Sequence, residues 1–334
     1  MAQAHGYAAL AIGSCLMLLE SLHDRKLLFI GGKGGVGKTT VASSIACGLA
    51  ARGKRVLVAS TDPAHSLGHL WRTSLNDTAR QLAAVGNGSV DGVELDPRST
   101  VERHLAGVEA TMMSLLPERL HSAARSHILR AADAPGSHES AMLERVAETV
   151  ENAQGVYDTV LFDTAPTGHT TRLLSLPDRL EGWTEQLLRS RDRSERYAAT
   201  MQSIVTGRNS RNPESDLRKT LHRRKSRFAT MRAMITDAEV CGFVTVTLAE
   251  RMPLAECLDL IEDLRGLRIP IAGVVINRRS PRGESALLDA RHRLETDAIE
   301  ASKLLRTEAP LVEIPLLADD LTGEDAILRV AARL

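Results

Sequence analysis

The sequence predicts an α/β fold, with a mostly parallel central sheet flanked by helices and a helical insert subdomain. Three observations predict it. A glycine-rich loop, Gly31 to Thr40, lies between the apolar run Lys26-Leu27-Leu28-Phe29-Ile30 and an alanine-rich stretch at helical spacing, Thr39 to Arg52. Further apolar, β-branched runs recur along the chain, as buried parallel strands do. Between them lie two long helical regions, at about 96–155 and 172–238, which read as the inserts.

The loop has the spacing G-x-x-x-x-G-K-[ST], from Gly32 to Gly37-Lys38-Thr39. Glycines let consecutive backbone N–H groups curl around a phosphate without Cβ clashes. The helix that follows adds the positive end of its dipole. Gly34, Gly35, Val36, Gly37, Lys38, Thr39 and Thr40 are therefore the candidate nucleotide-binding residues. Lys38 supplies charge to the β/γ-phosphates, and the Thr39 hydroxyl can ligate Mg²⁺. With a strand before and a helix after, this is the loop of a P-loop NTPase. A second lysine, Lys33, is not needed for the cradle. It is either a solvated loop lysine or a second cation that reaches a phosphate across a dimer interface.

The bulk numbers narrow the setting. The chain has 334 residues, 43% hydrophobic and 25% charged, enough for a sizeable core. Its net charge is +0, so no global field draws it to nucleic acid or anionic lipid. Aromatics at 3% argue against a stacking platform for single strands, and no nucleic-acid partner is expected. The four cysteines, Cys15, Cys47, Cys241 and Cys257, include no C-x-x-C pair. They read as buried apolar residues in a reducing, cytoplasmic setting, with no stable zinc site. The apolar stretch Tyr7 to Leu19 is too short to span a bilayer and lacks the basic start of a signal peptide. Residues 1–24 read as an N-terminal extension ahead of a single domain, 25–334.

Gly53 reads as the stop of the loop helix, and Val56-Leu57-Val58-Ala59 as a strand. Asp62 follows in Ser60-Thr61-Asp62-Pro63-Ala64-His65-Ser66. A carboxylate past a strand end lies in the crevice where α/β sheets bind ligands, although it could equally be a helix N-cap. Val93-Glu94-Leu95-Asp96-Pro97 reads as a short strand closed by a turn. Val101, Leu105, Val108, Met112 and Leu115 then share one helix face. A break at Ala134-Pro135-Gly136-Ser137 precedes a helix through Met142, Val146 and Val150. Tyr157 to Asp163 is apolar and ends in an acid, the Walker B pattern, which puts Asp163 near Mg²⁺. Thr164-Ala165-Pro166-Thr167-Gly168-His169-Thr170 reads as a loop that responds to the γ-phosphate.

The second helical region carries the stripes Leu180, Trp183, Leu187, Leu188 and Tyr197, Met201, Ile204, Val205. An exposed loop at 206–213 follows. Arg218 to Arg232 then holds seven Lys/Arg and no acid, either a solvated face or a docking surface. Cys241 to Thr247 and Ile271 to Asn277 are strands separated by a helix around Leu254 to Leu264. Asn277 is a strand-end cap or a reader of a purine edge. Leu311 to Leu316 is the last strand, and a helix begins near Gly323.

Gly32 to Thr39, Asp62-Pro63-Ala64-His65-Ser66 and Asp163 to Thr170 together resemble the arsenite-pump ATPases and the ATPases that target tail-anchored membrane proteins. In that family they are a deviant Walker A motif, switch I and switch II. Pro135-Gly136 with Glu139, Asn277 and Ile314-Pro315-Leu316-Leu317 are weaker matches. The resemblance implies Mg²⁺-dependent ATP hydrolysis in a homodimer whose two nucleotides face each other. Lys33 would reach the partner's nucleotide, making Lys33, Lys38 and Asp62 the catalytic set, with Asp62 acting on the attacking water. Thr39 and Asp163 would serve the metal, and Asn277 and Pro315 the adenine. The hydrolysis cycle would serve a membrane partner or hydrophobic client, with the inserts as its surface, in the cytoplasm or peripheral to a membrane.

The chain departs from the family in three respects. Cys241 and Cys257 lie too far apart for the C-x-x-C pair that binds zinc between subunits. No cysteine cluster for a metalloid is visible, and there is one P-loop where many pumps have two. The alternative function is a partition-type, nucleotide-dependent binding module. An iron–sulfur redox role would need bridging cysteines that the sequence lacks.

Overall fold

The computed structural model describes residues 18–62, 64–115, 118, 121–122, 125–126, 137–164, 174–175, 213–302 and 309–334. Most of the stretch from 165 to 212, with its two stripes, the second switch loop and the polar loop before Pro213, lies outside them. So do Pro135, Gly136 and most of the N-terminal apolar stretch.

Five apolar residues, Leu27–Gly31, form β1, buried throughout. β2 (Arg55–Ser60), β3 (Arg80–Val85), β4 (Gly88–Glu94), β5 (Thr159–Asp163), β6 (Cys241–Leu248), β7 (Ile271–Arg279) and β8 (Leu311–Pro315) complete an eight-stranded sheet. The order is β3-β4-β2-β5-β1-β6-β7-β8. Every pairing is parallel except β3 with β4. From β1 the chain builds first to one side and then to the other, so the crevice of the sheet opens over the carboxyl end of β1.

The β3–β4 hairpin is the part the sequence reading missed. The expected short strand at 93–97 is the end of β4, which starts at Gly88 after a tight turn through Gly86, φ 60°, and Asn87. β3 is an edge strand that keeps Arg80 and Gln81 exposed, so it carries little apolar signal.

Cross-strand pairing aligns Phe29 of β1 with Phe162 of β5 and Phe243 of β6. Their rings stack at 5.3 and 6.4 Å between centroids, one row across three strands. The opposite face carries Leu28, Ile30, Val244, Val246 and Val275. Against it lies α1 (Lys38–Ala50), which is buried on nearly every side. Its outer side is covered by α8 (Glu324–Ala331), where the Ser44 hydroxyl donates to the Ile327 carbonyl at 3.4 Å. Leu18, Leu19 and Leu22 also belong to this core, so the segment ahead of β1 packs onto the sheet from residue 18. α2 (Ser66–Trp71) continues from the Asp62 loop, and the Trp71 indole donates to the Ser43 hydroxyl at 3.0 Å. α6 (Arg251–Gly266) and α7 (Ala286–Ala301) join Val274 and Ile276 in a second cluster.

The helical segments are α3 (Pro97–Leu115), α4 (Ser137–Ala153) and α5 (Pro213–Thr236). α4 buries Met142, Val146 and Val150, the stripe expected of it. Two compact units divide the chain: Met1–Asp96 with Glu148–Arg172 and Met234–Leu334, and Pro97–Ala147 with Leu173–Ala233. Among the described residues no helix is long and apolar enough to cross a membrane.

Candidate active site

Four strand ends converge on the crevice. The loop leaves β1 at Gly31, and Asp62 follows β2. Asp163 ends β5 opposite Ile30 and Ser60, and Asn277 lies on β7 opposite Leu248.

The loop's shape is fixed by close contacts. Gly37 caps α1 at φ 93°, a conformation that side chains other than glycine rarely adopt. A Cβ there would collide with the Asn277 amide nitrogen. A Cβ on Gly34 or Gly35 would meet nothing within 4 Å, so this part of the loop is open to solvent. Lys38 is buried, and its ammonium donates to the Lys33 carbonyl at 3.1 Å, closing the loop on itself. Burial lowers its pKa; the carboxylates of Asp163 and Asp62 oppose that.

Asp163 is 1% exposed, and neither carboxylate oxygen has a hydrogen-bond partner. Burial pushes its pKa up to about 7, against the pull of the nearby Thr39 hydroxyl and Lys38. The Thr39 hydroxyl itself pairs with the Ser66 hydroxyl at 3.1 Å, which joins α1 to the Asp62 loop. An orphaned buried carboxylate beside a threonine hydroxyl and open loop amides is a donor set that fits hydrated Mg²⁺ with a phosphate.

Asp62 accepts the Ala64 N–H at 3.0 Å, which curls the loop, and its own N–H donates to the Ser60 hydroxyl at 3.3 Å. The loop is anchored by Glu94, which sequence reasoning did not single out. Glu94 is buried at the end of β4, accepts the Gly68 N–H at 2.8 Å and pairs with the His65 imidazole at 2.7 Å. An acid between Val93 and Leu95 in an apolar strand was its only sequence signal.

Lys33 is tied within its own chain. Its ammonium lies 2.8 Å from Glu256 and 3.3 Å from the Met252 sulfur, both on α6. No sequence signal pointed to Glu256, one acid among several on that helix. Asn277 is 6% exposed, and its amide is engaged at both ends. Nδ2 donates to the Val36 carbonyl at 2.8 Å, and Oδ1 accepts the Arg278 N–H at 2.9 Å. One donor hydrogen and one acceptor lone pair remain for a ligand. Pro315 ends β8, paired with Arg279 of β7. The cysteines described, Cys47, Cys241 and Cys257, are buried thiols, with burial pushing Cys257 up to about 11.

A phosphate loop at the switch point of a parallel sheet, with a buried acid on the neighbouring strand, defines a nucleotide-binding α/β protein. The family model for anion-transporting ATPases matches residues 25–334. The chain belongs to that family, and it is an ATPase. ATPase GET3 of Komagataella phaffii is 33% identical over 306 residues, covering 89% of this chain and 86% of that one. ATPase GET3 of Pyricularia oryzae is 29% identical, covering 95% and 93%. ATPase ASNA1 homolog 1 of Paramecium tetraurelia is 27% identical, covering 90% of each.

Proposed function

We propose that this ATPase hydrolyses MgATP within a homodimer and uses the resulting movement to serve a hydrophobic client or a membrane partner from the cytoplasm. The observation that carries the reading is Asp163, a buried carboxylate without a partner beside Lys38 and Thr39. Burial of an acid that the Thr39 hydroxyl and Lys38 only partly offset disfavours its ionised form, a pattern of functional sites rather than of stabilising ones. Bound Mg²⁺ would supply charge neutralisation to the phosphates, with Thr39 and Asp163 as the groups that hold it. The backbone of Gly34 to Thr40 cradles the phosphates, and Lys38 neutralises the β/γ oxygens. Asp62 stands on a curled loop joined to α1 through Ser66 and Thr39, and there it orients the attacking water. The site-bearing unit acts as the ATPase core, and the helical segments of the second unit carry the client surface. Residues 1–24 are an extension to the 25–334 ATPase domain.

For Lys33 to reach a partner's nucleotide it must leave Glu256. Both side chains are more than a third exposed, at 37% and 39%, so the pair contributes only about 0–1 kcal/mol. A cation delivered in trans is worth about 10³–10⁵ in rate, or roughly 4–7 kcal/mol of barrier. Losing the pair therefore costs far less than the barrier reduction the lysine would supply in trans. Lys33→Ala and Asp62→Asn should each lower ATP turnover by orders of magnitude while leaving the folded state intact. Near-normal turnover in both variants overturns this mechanism.

A further inference from the structure

We propose that Asn277 is a positioning residue of the phosphate loop itself, acting on bound phosphate through the Val36 carbonyl and Gly37. This deepens the nucleotide reading above and rests on it. The loop begins at β1, and Asn277 lies two strands away on β7, beyond β6. Its amide reaches the loop at one point, the Val36 carbonyl, at 2.8 Å. The amide's orientation is determined by its two partners. Only Nδ2 can donate to a carbonyl, and only Oδ1 can accept the Arg278 N–H.

The backbone of β7 is distorted to hold that amide. The pairing of β7 with β8 shifts register between Ile276 and Arg279, the signature of a bulge. Inside it Arg278 adopts φ 55°, a conformation that a non-glycine residue enters at a cost in energy. The bulge is fastened from behind. Buried Arg279 bonds to Glu295 at 2.8 Å, Glu313 at 2.9 Å and Thr296 at 3.0 Å. Ser280 gives both its N–H and its hydroxyl to the same Glu295. A strained residue between a braced arginine and a buried amide marks a position that the fold over-determines.

On the loop side, the amide nitrogen occupies the space a Gly37 side chain would need. Gly37 is the N-cap of α1, so the amide sets where that helix begins and where its first N–H groups point. Without the amide, the Val36 carbonyl seeks another donor and the loop populates other shapes. Only a fraction of molecules then present the cradle, and every phosphate ligand loses affinity by that fraction. The ligand's base is irrelevant to this effect.

Inorganic tripolyphosphate separates the two roles of Asn277, because it has phosphates and no base. Binding of tripolyphosphate and of ATP, each with Mg²⁺, is measured by calorimetry on the full chain as wild type and as Asn277→Ala. A loss of about tenfold in tripolyphosphate affinity is expected, on the scale of one buried carbonyl left without its donor. Tripolyphosphate bound as by the wild type, with ATP weakened, makes Asn277 a base contact only and overturns the proposal. Unchanged binding of both ligands overturns it too. A wild type that bound neither ligand would overturn the nucleotide reading and the proposal with it. Should Asn277→Ala not fold, Asn277→Ser, neutral and too short to reach Val36, carries the same expectations.

Discussion

Replacing Asp163 with asparagine should make the ligand-free protein more stable above pH 7, at the expense of its activity. In the native chain burial lifts this carboxyl to about 7; unfolded, it returns to its ordinary 3.8. Between those values the native state holds one proton more than the unfolded state. Stability therefore falls as pH rises through that window and is level above it. The full penalty at pH 8 is about 4 kcal/mol. Water reaching an open loop reduces it, and a gain on the order of 2 kcal/mol for Asp163→Asn is expected. Urea unfolding of both proteins at pH 5 and pH 8, without Mg²⁺ or nucleotide, reads the difference directly. At pH 5 the gap should be smaller but present, because the unfolded carboxyl is already ionised there while the native one is protonated; it closes only as pH falls through the unfolded value of 3.8. Adding MgATP at pH 8 should stabilise the wild type more than the variant. A variant less stable than wild type at pH 8, or one with the same pH dependence, refutes the reasoning.

Two more predictions follow from the neighbouring contacts. Glu256→Gln should change unfolding stability by under about 1 kcal/mol and, by releasing Lys33, raise ATP turnover at low protein concentration; turnover as low as that of Lys33→Ala would contradict it. Glu295→Ala removes one of the two carboxylates paired with the buried Arg279 guanidinium, Glu313 remaining, and should destabilise the chain by less than the roughly 3–5 kcal/mol of a fully unpaired buried charge; a change below about 1 kcal/mol, read by the same urea titration, would show that the network carries little.

What the sequence disclosed follows from physical strength of signal. β1, β5, β6 and β7 sit between neighbours in the sheet, so their residues are mostly apolar and buried and their ends were legible within a residue or two. The glycines of the loop and the acid ending β5 were legible because phosphate chemistry admits few alternatives there. β3 stayed hidden because an edge strand half in water alternates weakly. α7 was missed because its buried residues are few, Glu295 and Ile299 among them. Glu94, Glu256 and the hold of Asn277 on Val36 were invisible for another reason. Each depends on two segments meeting that lie at least 26 residues apart, and up to 241.

The position of β1 also sets the order in which a growing chain can complete itself. The strand and its glycine loop leave the ribosome before every other strand of the sheet. The hydroxyl of Thr159 meets the Arg25 carbonyl across 134 residues, and the Ser44 contact with Ile327 spans 283. At roughly 5–20 residues per second, the nascent loop waits tens of seconds for α8 to cover its helix. Until β5 emerges to pair with it, Leu27 to Ile30 is an unpaired apolar segment, the kind that chaperones hold and that aggregates when they do not. A protein proposed to look after hydrophobic segments begins life by exposing one of its own.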